Sequence, residues 1–179
     1  MARTTFQGPV RSLGGLYQQG PATVVDITTS TTLSPEAHGG RILAIGGSLA
    51  AALTLTLPAI NVSANSVTSG PGQDPNTLNN EGVTYTIWVP TTISTSSLKI
   101  GTDGTDKFVG SVISVDTDSS GAVVGFTAAS TNDFINLNGT TTGGVAGTWI
   151  QIVAIAANKY MVTGVVLGSG AVATPFADA

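Results

Sequence analysis

Alternation between apolar and polar residues is the feature of this chain that most constrains its fold. Residues 53–58 and 147–167 carry it most clearly, with β-branched and aromatic residues standing between turn-forming residues. A period of two residues is typical of a half-buried strand, because successive side chains of a strand point to opposite faces of the sheet. No stretch has convincing helical periodicity, and residues 49–53 are the best candidate for a single helical turn. The chain is therefore predicted to be mostly sheet.

Further strand candidates follow one another at short intervals, separated by Gly, Asn, Asp and Ser. The full set is 22–29, 41–45, 53–57, 83–89, 97–100, 108–115, 123–128, 134–137, 148–155 and 159–167. Short strands at this spacing predict an all-β fold, an antiparallel β-sandwich or β-barrel. We expect an extended N-terminal arm over residues 1–20, a β domain over 21–168 that includes a long surface loop at 61–82, and an irregular C-terminal tail over 169–179.

Charged residues are scarce, at 9% of 179 residues, against about 25% in ordinary soluble domains. Most of the surface must then be hydroxyls, amides, glycine and apolar atoms, a composition that protects a protein poorly against association. The formal net charge is -4, and the six Lys and Arg residues are scattered. Clustered basic residues are needed to neutralise phosphates, so a nucleic-acid partner is not expected. We interpret the shortage of charge as surface intended for protein partners.

The chain has no cysteine, which excludes disulfides and cysteine metal sites. Its first six residues lack the apolar run of a secretory signal, so synthesis in a cytoplasm is expected. Residues 42–60 are uncharged over about the length of a membrane span. However, Gly46 and Gly47 interrupt this segment and Pro58 closes it, so two strands joined by a Gly-rich turn explain it better than a helix. No membrane partner is expected.

Candidate catalytic and metal-binding residues are few. His38 is the only histidine, and its turn-forming neighbours favour a role in a turn over that of a general base. Residues 116–121 place oxygens at alternating positions before a glycine, but Thr127 stands where a calcium loop needs a glutamate. A hairpin turn is favoured there, with calcium binding left open, and residues 103–106 are predicted as a turn that ends at Asp106. We expect neither enzymatic activity nor a cofactor.

Four aromatic residues offer a candidate sugar-stacking platform. Each lies inside a predicted strand with apolar neighbours, so packing in the core or at an interface is favoured. These residues are Trp88, Trp149, Tyr85 and Tyr160. The loop at 61–82 is longer than ordinary connections in compact domains, so it is predicted either to stay mobile or to be held by a neighbouring subunit near residues 61–65.

The first twenty residues are predicted to form an extended arm. They are divided at Gly8-Pro9, Gly14-Gly15 and Gly20-Pro21, which leaves no room for a regular element of useful length. The arm contains bases and no acids, and its apolar side chains need another surface to leave water. That surface is either the chain's own domain or a partner, and a frayed arm is the remaining alternative.

Several segments resemble a known family. The opening Thr-Thr-Phe-Gln-Gly-Pro-Val-Arg-Ser-Leu-Gly-Gly, residues 4–15, resembles the start of small virion proteins encoded near the major capsid protein in tailed bacteriophages. The body is similar to the β modules of phage head decoration proteins at residues 55–58, 83–87, 98–100, 147–152 and 159–164. The resemblance spans most of the chain and includes no catalytic signature. It implies a capsid decoration, or cement, protein, a homotrimer seated at three-fold or quasi-three-fold positions on the outer capsid surface, where it braces the shell.

In that role the arm is the expected contact with the major capsid protein. An extended arm suits strand addition to another subunit's sheet edge, since backbone hydrogen bonds supply attachment and alternate side chains supply register. We expect Phe6, Val10 and Leu16 to anchor the arm, and Arg3 and Arg11 to meet acidic capsid surface. The alternative is a phage fibre or head-fibre adhesin that recognises host surface polysaccharide through the four aromatic residues and the long loop.

Overall fold

The computed structural model describes residues 23–63, 77–118 and 121–178, which form two β-sheets and confirm the predicted all-β sandwich. The strands of the seven-stranded sheet are β1 (Val24–Asp26), β3 (Ile42–Ala44), β5 (Thr84–Trp88), β7 (Lys107–Asp116), β8 (Val123–Thr127), β10 (Trp149–Ala156) and β11 (Lys159–Gly168). The five-stranded sheet contains β2 (Thr31–Thr32), β4 (Leu53–Thr56), β6 (Leu98–Gly101), β9 (Phe134–Leu137) and β12 (Phe176–Ala177). One helical turn, α1 (Pro35–His38), precedes β3.

The chain crosses between the two sheets after each of its first six strands. As a result β1, β3 and β5 lie side by side and parallel in one sheet, while β2, β4 and β6 do so in the other. The later strands pair antiparallel, except that β7 lies parallel to β11, and the complete orders are β1-β3-β5-β10-β11-β7-β8 and β12-β9-β6-β4-β2. Both sheets are therefore mixed, whereas the sequence predicts antiparallel pairing throughout.

The core lies between the inner faces of the two sheets, as strand alternation requires. On β10 the inward residues Ile150 and Ile152 are completely buried, and on β6 Leu98 and Ile100 face them from the same core cluster. Burying one such side chain is worth about 1.5–3 kcal/mol. The Tyr160 hydroxyl, on β11, donates a 2.6 Å hydrogen bond to the carbonyl of Pro58, just past β4. This bond joins the two halves of the sandwich.

Three short elements differ from the sequence expectation. The tail at 169–179 is not wholly irregular, because Phe176 is buried and β12 pairs with β9. The helical turn occurs at α1 rather than at 49–53, since the Ser34 hydroxyl caps it by accepting the Ala37 N–H at 3.3 Å. The two-residue β2 has too little alternation to be detected in sequence.

Three predicted segments fall wholly or partly outside the described residues. They are the arm, with its candidate contact residues Arg3, Phe6, Val10, Arg11 and Leu16, the central part of the long loop at residues 64–76, and residues 119–120 of the predicted hairpin turn. Residues 42–60 form β3, β4 and the connection between the sheets. Within the described ranges, no helix is long and apolar enough to cross a membrane.

Candidate interaction surface

The outer face of the seven-stranded sheet carries a continuous row of apolar side chains. Because Ile150 and Ile152 point inward, Trp149 and Gln151 on the same strand point outward. The strand registers then align Trp149 with Trp88 on one side and with Val165 on the other, and Val165 with Ile113. With Ala44, which pairs with Trp88, these residues form the apolar row: Ala44, Trp88, Trp149, Val165 and Ile113.

Three of the five side chains of this row are open to solvent, whereas Trp88 is partly buried and Ala44 is buried. Trp149 and Val165 are each 41% exposed and Ile113 is 50% exposed, while Val123 on the neighbouring strand is 65% exposed. The next row on the same face is polar and uncharged, with Gln151 aligned between Thr86 and Thr163. Exposed apolar side chains that form a contiguous patch, rather than scattered ones, mark interaction surfaces in soluble proteins.

Charge lies at the margins of this outer face, where Asp26 on the edge strand β1 is the register partner of Ala44 and stands at one end of the apolar row. Among the outward-facing residues of β5, β7, β8, β10 and β11, the ionisable side chains are Lys107 and Lys159, which are register partners at one end. Lys107 is itself engaged, since its Nζ donates to Asp133 Oδ2 at 2.7 Å and to the Gly104 carbonyl at 3.0 Å. The centre of the face can thus meet another surface without desolvating a charge.

The four candidate aromatic residues divide between core and surface. Tyr85 and Tyr160 lie in the core, and burial raises the pKa of each well above its ordinary value, so both hydroxyls stay protonated. Trp88 and Trp149 lie side by side on the outer face. The sequence already separates the two residues of β5, because Tyr85 and Trp88 are three positions apart and must therefore point to opposite faces of the strand.

His38 has a structural position. Its Nδ1 accepts a hydrogen bond from the Ser34 backbone N–H at 3.0 Å, which suits the neutral ring, and burial lowers the pKa of the imidazole. The hydroxyl of the same serine caps α1 by accepting the Ala37 N–H. The contacts of His38 are therefore those predicted for a turn residue.

The candidate carboxylates bind backbone amides. Asp103 Oδ1 accepts the N–H groups of Thr105 (2.9 Å) and Asp106 (3.0 Å), which confirms the predicted turn before β7. Asp116 Oδ1 accepts the Asp118 N–H at 3.0 Å, and Asp118 Oδ2 accepts the Gly170 N–H at 2.7 Å. In the part of the chain that the structure describes, no group of three or more His, Asp or Glu side chains is arranged to hold a metal ion.

The two ends of the long loop are joined within the chain. Asn61 donates its N–H to Asn80 Oδ1 at 2.9 Å, and its side-chain amide donates to the Thr77 carbonyl at 3.1 Å. Asn80 is 3% exposed and donates to the Ala59 carbonyl at 2.9 Å. Asn61 is thus held by the chain itself, and burial of residues 61–65 by a neighbouring subunit stays a prediction.

An open groove of about 440 Å³ lies between the β1–β2 and β3–β4 connections. Its lining includes Ile27, Ser48, Leu49 and Leu53 and contains no ionisable side chain. A groove of this composition can bury apolar surface but cannot supply an acid or a base. Its chemistry resembles that of the outer face.

No protein-family model, no curated protein and no solved structure matches this chain. The likeness to phage head decoration proteins therefore stays a sequence-based prediction. What the described residues add is the outer face, an exposed apolar surface with charge only at its margin.

Proposed function

We propose that this chain is a structural virion protein that decorates the outer surface of a bacteriophage head. It binds the major capsid protein as a homotrimer and stabilises the shell. The observation that carries the proposal is the apolar row, which lies toward the end of the sheet face opposite Lys107 and Lys159. Those two lysines are the only ionisable side chains that face outward on β5, β7, β8, β10 and β11. Such a face is suited to docking on protein.

The low charge also suits dense coverage of a shell. Many copies must lie close together on a capsid, and neutral hydroxyl and amide surfaces such as that of Gln151 and Thr163 do not repel one another. Each contact can be individually modest, because a trimer that engages three sites gains affinity through effective concentration. The arm adds a second attachment, with Phe6, Val10 and Leu16 as anchors and Arg3 and Arg11 facing acidic capsid surface.

Binding to emptied, expanded capsids of the virus that encodes this chain tests the proposal. We expect the full-length protein to co-sediment with the shells at saturating occupancy. Light scattering of the free protein is expected to give a mass near three times 17.8 kDa. Failure of the full-length protein to bind the shells would overturn the decoration function.

A protein that begins at Gly20 serves as the test of the arm. It should retain the circular dichroism spectrum of the parent protein and lose shell binding. If it binds the shells as fully as the parent, the arm has no part in attachment, and the outer face alone must carry it.

A second candidate function is recognition of host polysaccharide by a fibre or head-fibre adhesin. The observation that favours it is the adjacent pair Trp88 and Trp149, with Trp149 41% exposed and next to the amide of Gln151 on its own strand. Aromatic rings stack on the apolar faces of sugars, and amides bind their hydroxyls. Glycan binding that Trp149→Ala abolishes, with the unfolding transition unchanged, would support this function. A glycan array without a hit would remove it.

A further inference from the structure

The strand β8 forms an edge of the seven-stranded sheet that no other described residue covers. Within residues 23–63, 77–118 and 121–178 it is the last strand in the sheet order and pairs only with β7. Its five residues contain neither a charge nor a proline, the two devices that commonly block edge strands from pairing with other chains. Val123 is 65% exposed and Val124 is 38% exposed. The edge is thus open to a further strand.

The hydrogen bonds of the β7–β8 hairpin identify the free backbone groups. Asp116 N–H donates to the Ala122 carbonyl at 2.8 Å, and Ala128 N–H donates to the Gly110 carbonyl at 3.0 Å. In an antiparallel ladder such bonded pairs recur at every second residue. Residues 122, 124, 126 and 128 therefore face β7, whereas Val123, Gly125 and Thr127 direct their N–H and C=O groups away from the sheet.

This pattern is symmetric about Gly125. Val123 and Thr127 flank it at equal distances, and their register partners Val115 and Ser111 place all three residues on the outer face. A side chain at Gly125 would meet no atom within 4 Å, so the centre of the edge is sterically open. An antiparallel copy of the same strand would pair Gly125 with Gly125 and Val123 with Thr127, and it would satisfy all six outward groups.

We propose that β8 joins two copies of this chain, pairing with β8 of the second copy about a two-fold axis at Gly125. Pairing extends the seven-stranded sheet of one copy into that of the other and brings the two outer faces into one continuous surface. No charged side chain of β8 opposes it. The contact does not depend on the proposed function. If the protein is a trimer, the same contact links one trimer to the next, and it is then measured as the step from the trimer to larger species as the protein concentration rises.

Disulfide trapping tests the register, because the chain has no native cysteine. In a bonded antiparallel pair the two Cα atoms are about 5.5 Å apart, within the range that a disulfide spans. We expect Gly125→Cys, in the full-length protein without capsids, to give a covalent dimer under mild oxidation on a non-reducing denaturing gel. The dimer should form at least tenfold faster than for Val123→Cys.

The Val123→Cys control separates pairing from random collision. Val123 is 65% exposed and so is accessible to oxidation. In the proposed dimer, however, the two copies of residue 123 lie four residues out of register, about 13 Å apart. Val123→Cys alone should therefore stay monomeric on the gel, whereas a mixture of Val123→Cys and Thr127→Cys should form the mixed dimer. Equal rates for Gly125→Cys and Val123→Cys would overturn the two-fold pairing.

A charge at the axis gives an independent test. Gly125→Lys places two like charges opposite each other, and Gly125→Ser is the matched neutral control. Sedimentation should show association at least tenfold weaker for Gly125→Lys and nearly unchanged for Gly125→Ser. Association of Gly125→Lys like that of the parent would overturn the proposal. The proposal would also be overturned if Gly125→Lys weakened association while Gly125→Cys gave no covalent dimer. That combination would instead indicate that a strand from residues 1–22 pairs with this edge. Neither result bears on capsid binding.

Discussion

The two sheets of the sandwich are alike on their inner faces and different on their outer faces. Both contribute fully buried aliphatic side chains to one core, such as Ile152 and Ile100. Outside, the five-stranded sheet aligns Thr54, Lys99 and Asn136 across neighbouring strands, whereas the seven-stranded sheet aligns tryptophan, valine and isoleucine. Folding requires the inner pattern of both sheets. It does not require the apolar outer row, and this difference is the basis of the proposed docking.

The inner faces should be equally sensitive to truncation. Ile152→Ala and Ile100→Ala each leave a cavity in the core and should lower the free energy of unfolding by about 2–5 kcal/mol. Val165→Ala, on the outer face, should lower it by less than about 1 kcal/mol. Urea denaturation of the free protein measures all three. If Val165→Ala lowered the free energy of unfolding as much as Ile152→Ala, the chain itself would have to cover the outer face.

The outer faces should differ in their tolerance of charge. Val165→Lys places an ammonium group in the apolar row and should weaken shell binding at least tenfold, because the charge loses water on docking. Thr54→Lys puts the same group beside Lys99 on the other sheet and should leave binding unchanged. Co-sedimentation with expanded capsids distinguishes them. Loss of binding with Thr54→Lys alone would assign docking to the five-stranded sheet.

The two buried tyrosines should differ although both are in the core. Tyr160→Phe removes the bond to the Pro58 carbonyl and should cost about 1–2 kcal/mol. The Tyr85 hydroxyl is buried and has no hydrogen-bond partner among the described residues, so Tyr85→Phe should be neutral within about 0.5 kcal/mol or stabilising. Paired urea titrations measure the difference. Equal effects would contradict the role of Tyr160 in joining the sheets.

The smallest effect should come from Asp106, in the turn that leads from the five-stranded sheet into β7. Burial raises the pKa of this carboxyl above its ordinary value of 3.8, and the nearby Asp103 carboxylate raises it further. The hydrogen bond from the Ile60 N–H lowers the pKa, but by less than burial raises it. The folded chain then holds the proton more tightly than the unfolded chain, so this group lowers stability as pH rises above 3.8. Asp106→Asn should gain stability relative to the parent between pH 3 and pH 7. A constant difference would contradict the raised pKa.

Alternation alone located most of the fold. Each of the ten predicted strands overlaps an observed one. The period of two identifies the strands because it shows which residues, such as Ile150 and Ile152, face the core. The alternation within a strand does not show which distant strand it pairs with. The parallel alignment of β7 with β11 joins segments about fifty residues apart, and Gly110 permits it by adopting a φ of 102° against the Val162 backbone.

The candidate surface was only partly accessible from sequence. Alternation along each strand places Trp88 and Trp149 on the outer face and Tyr85 and Tyr160 on the inner face. The apolar row, in contrast, forms only when β5, β10, β11 and β7 lie side by side in the sheet. The predicted arm residues lie outside the described ranges, so their role stays a prediction.

Hydroxyl-radical footprinting, read by mass spectrometry, tests most directly whether the outer face docks on the shell. Free and shell-bound protein are compared at Trp149, Met161 and Val165 on the outer face, and at Lys99 on the opposite sheet. Oxidation of the first three should fall several-fold on binding, while that of Lys99 should not change. Unaltered oxidation of Trp149 and Met161 on fully decorated shells would contradict docking through this face.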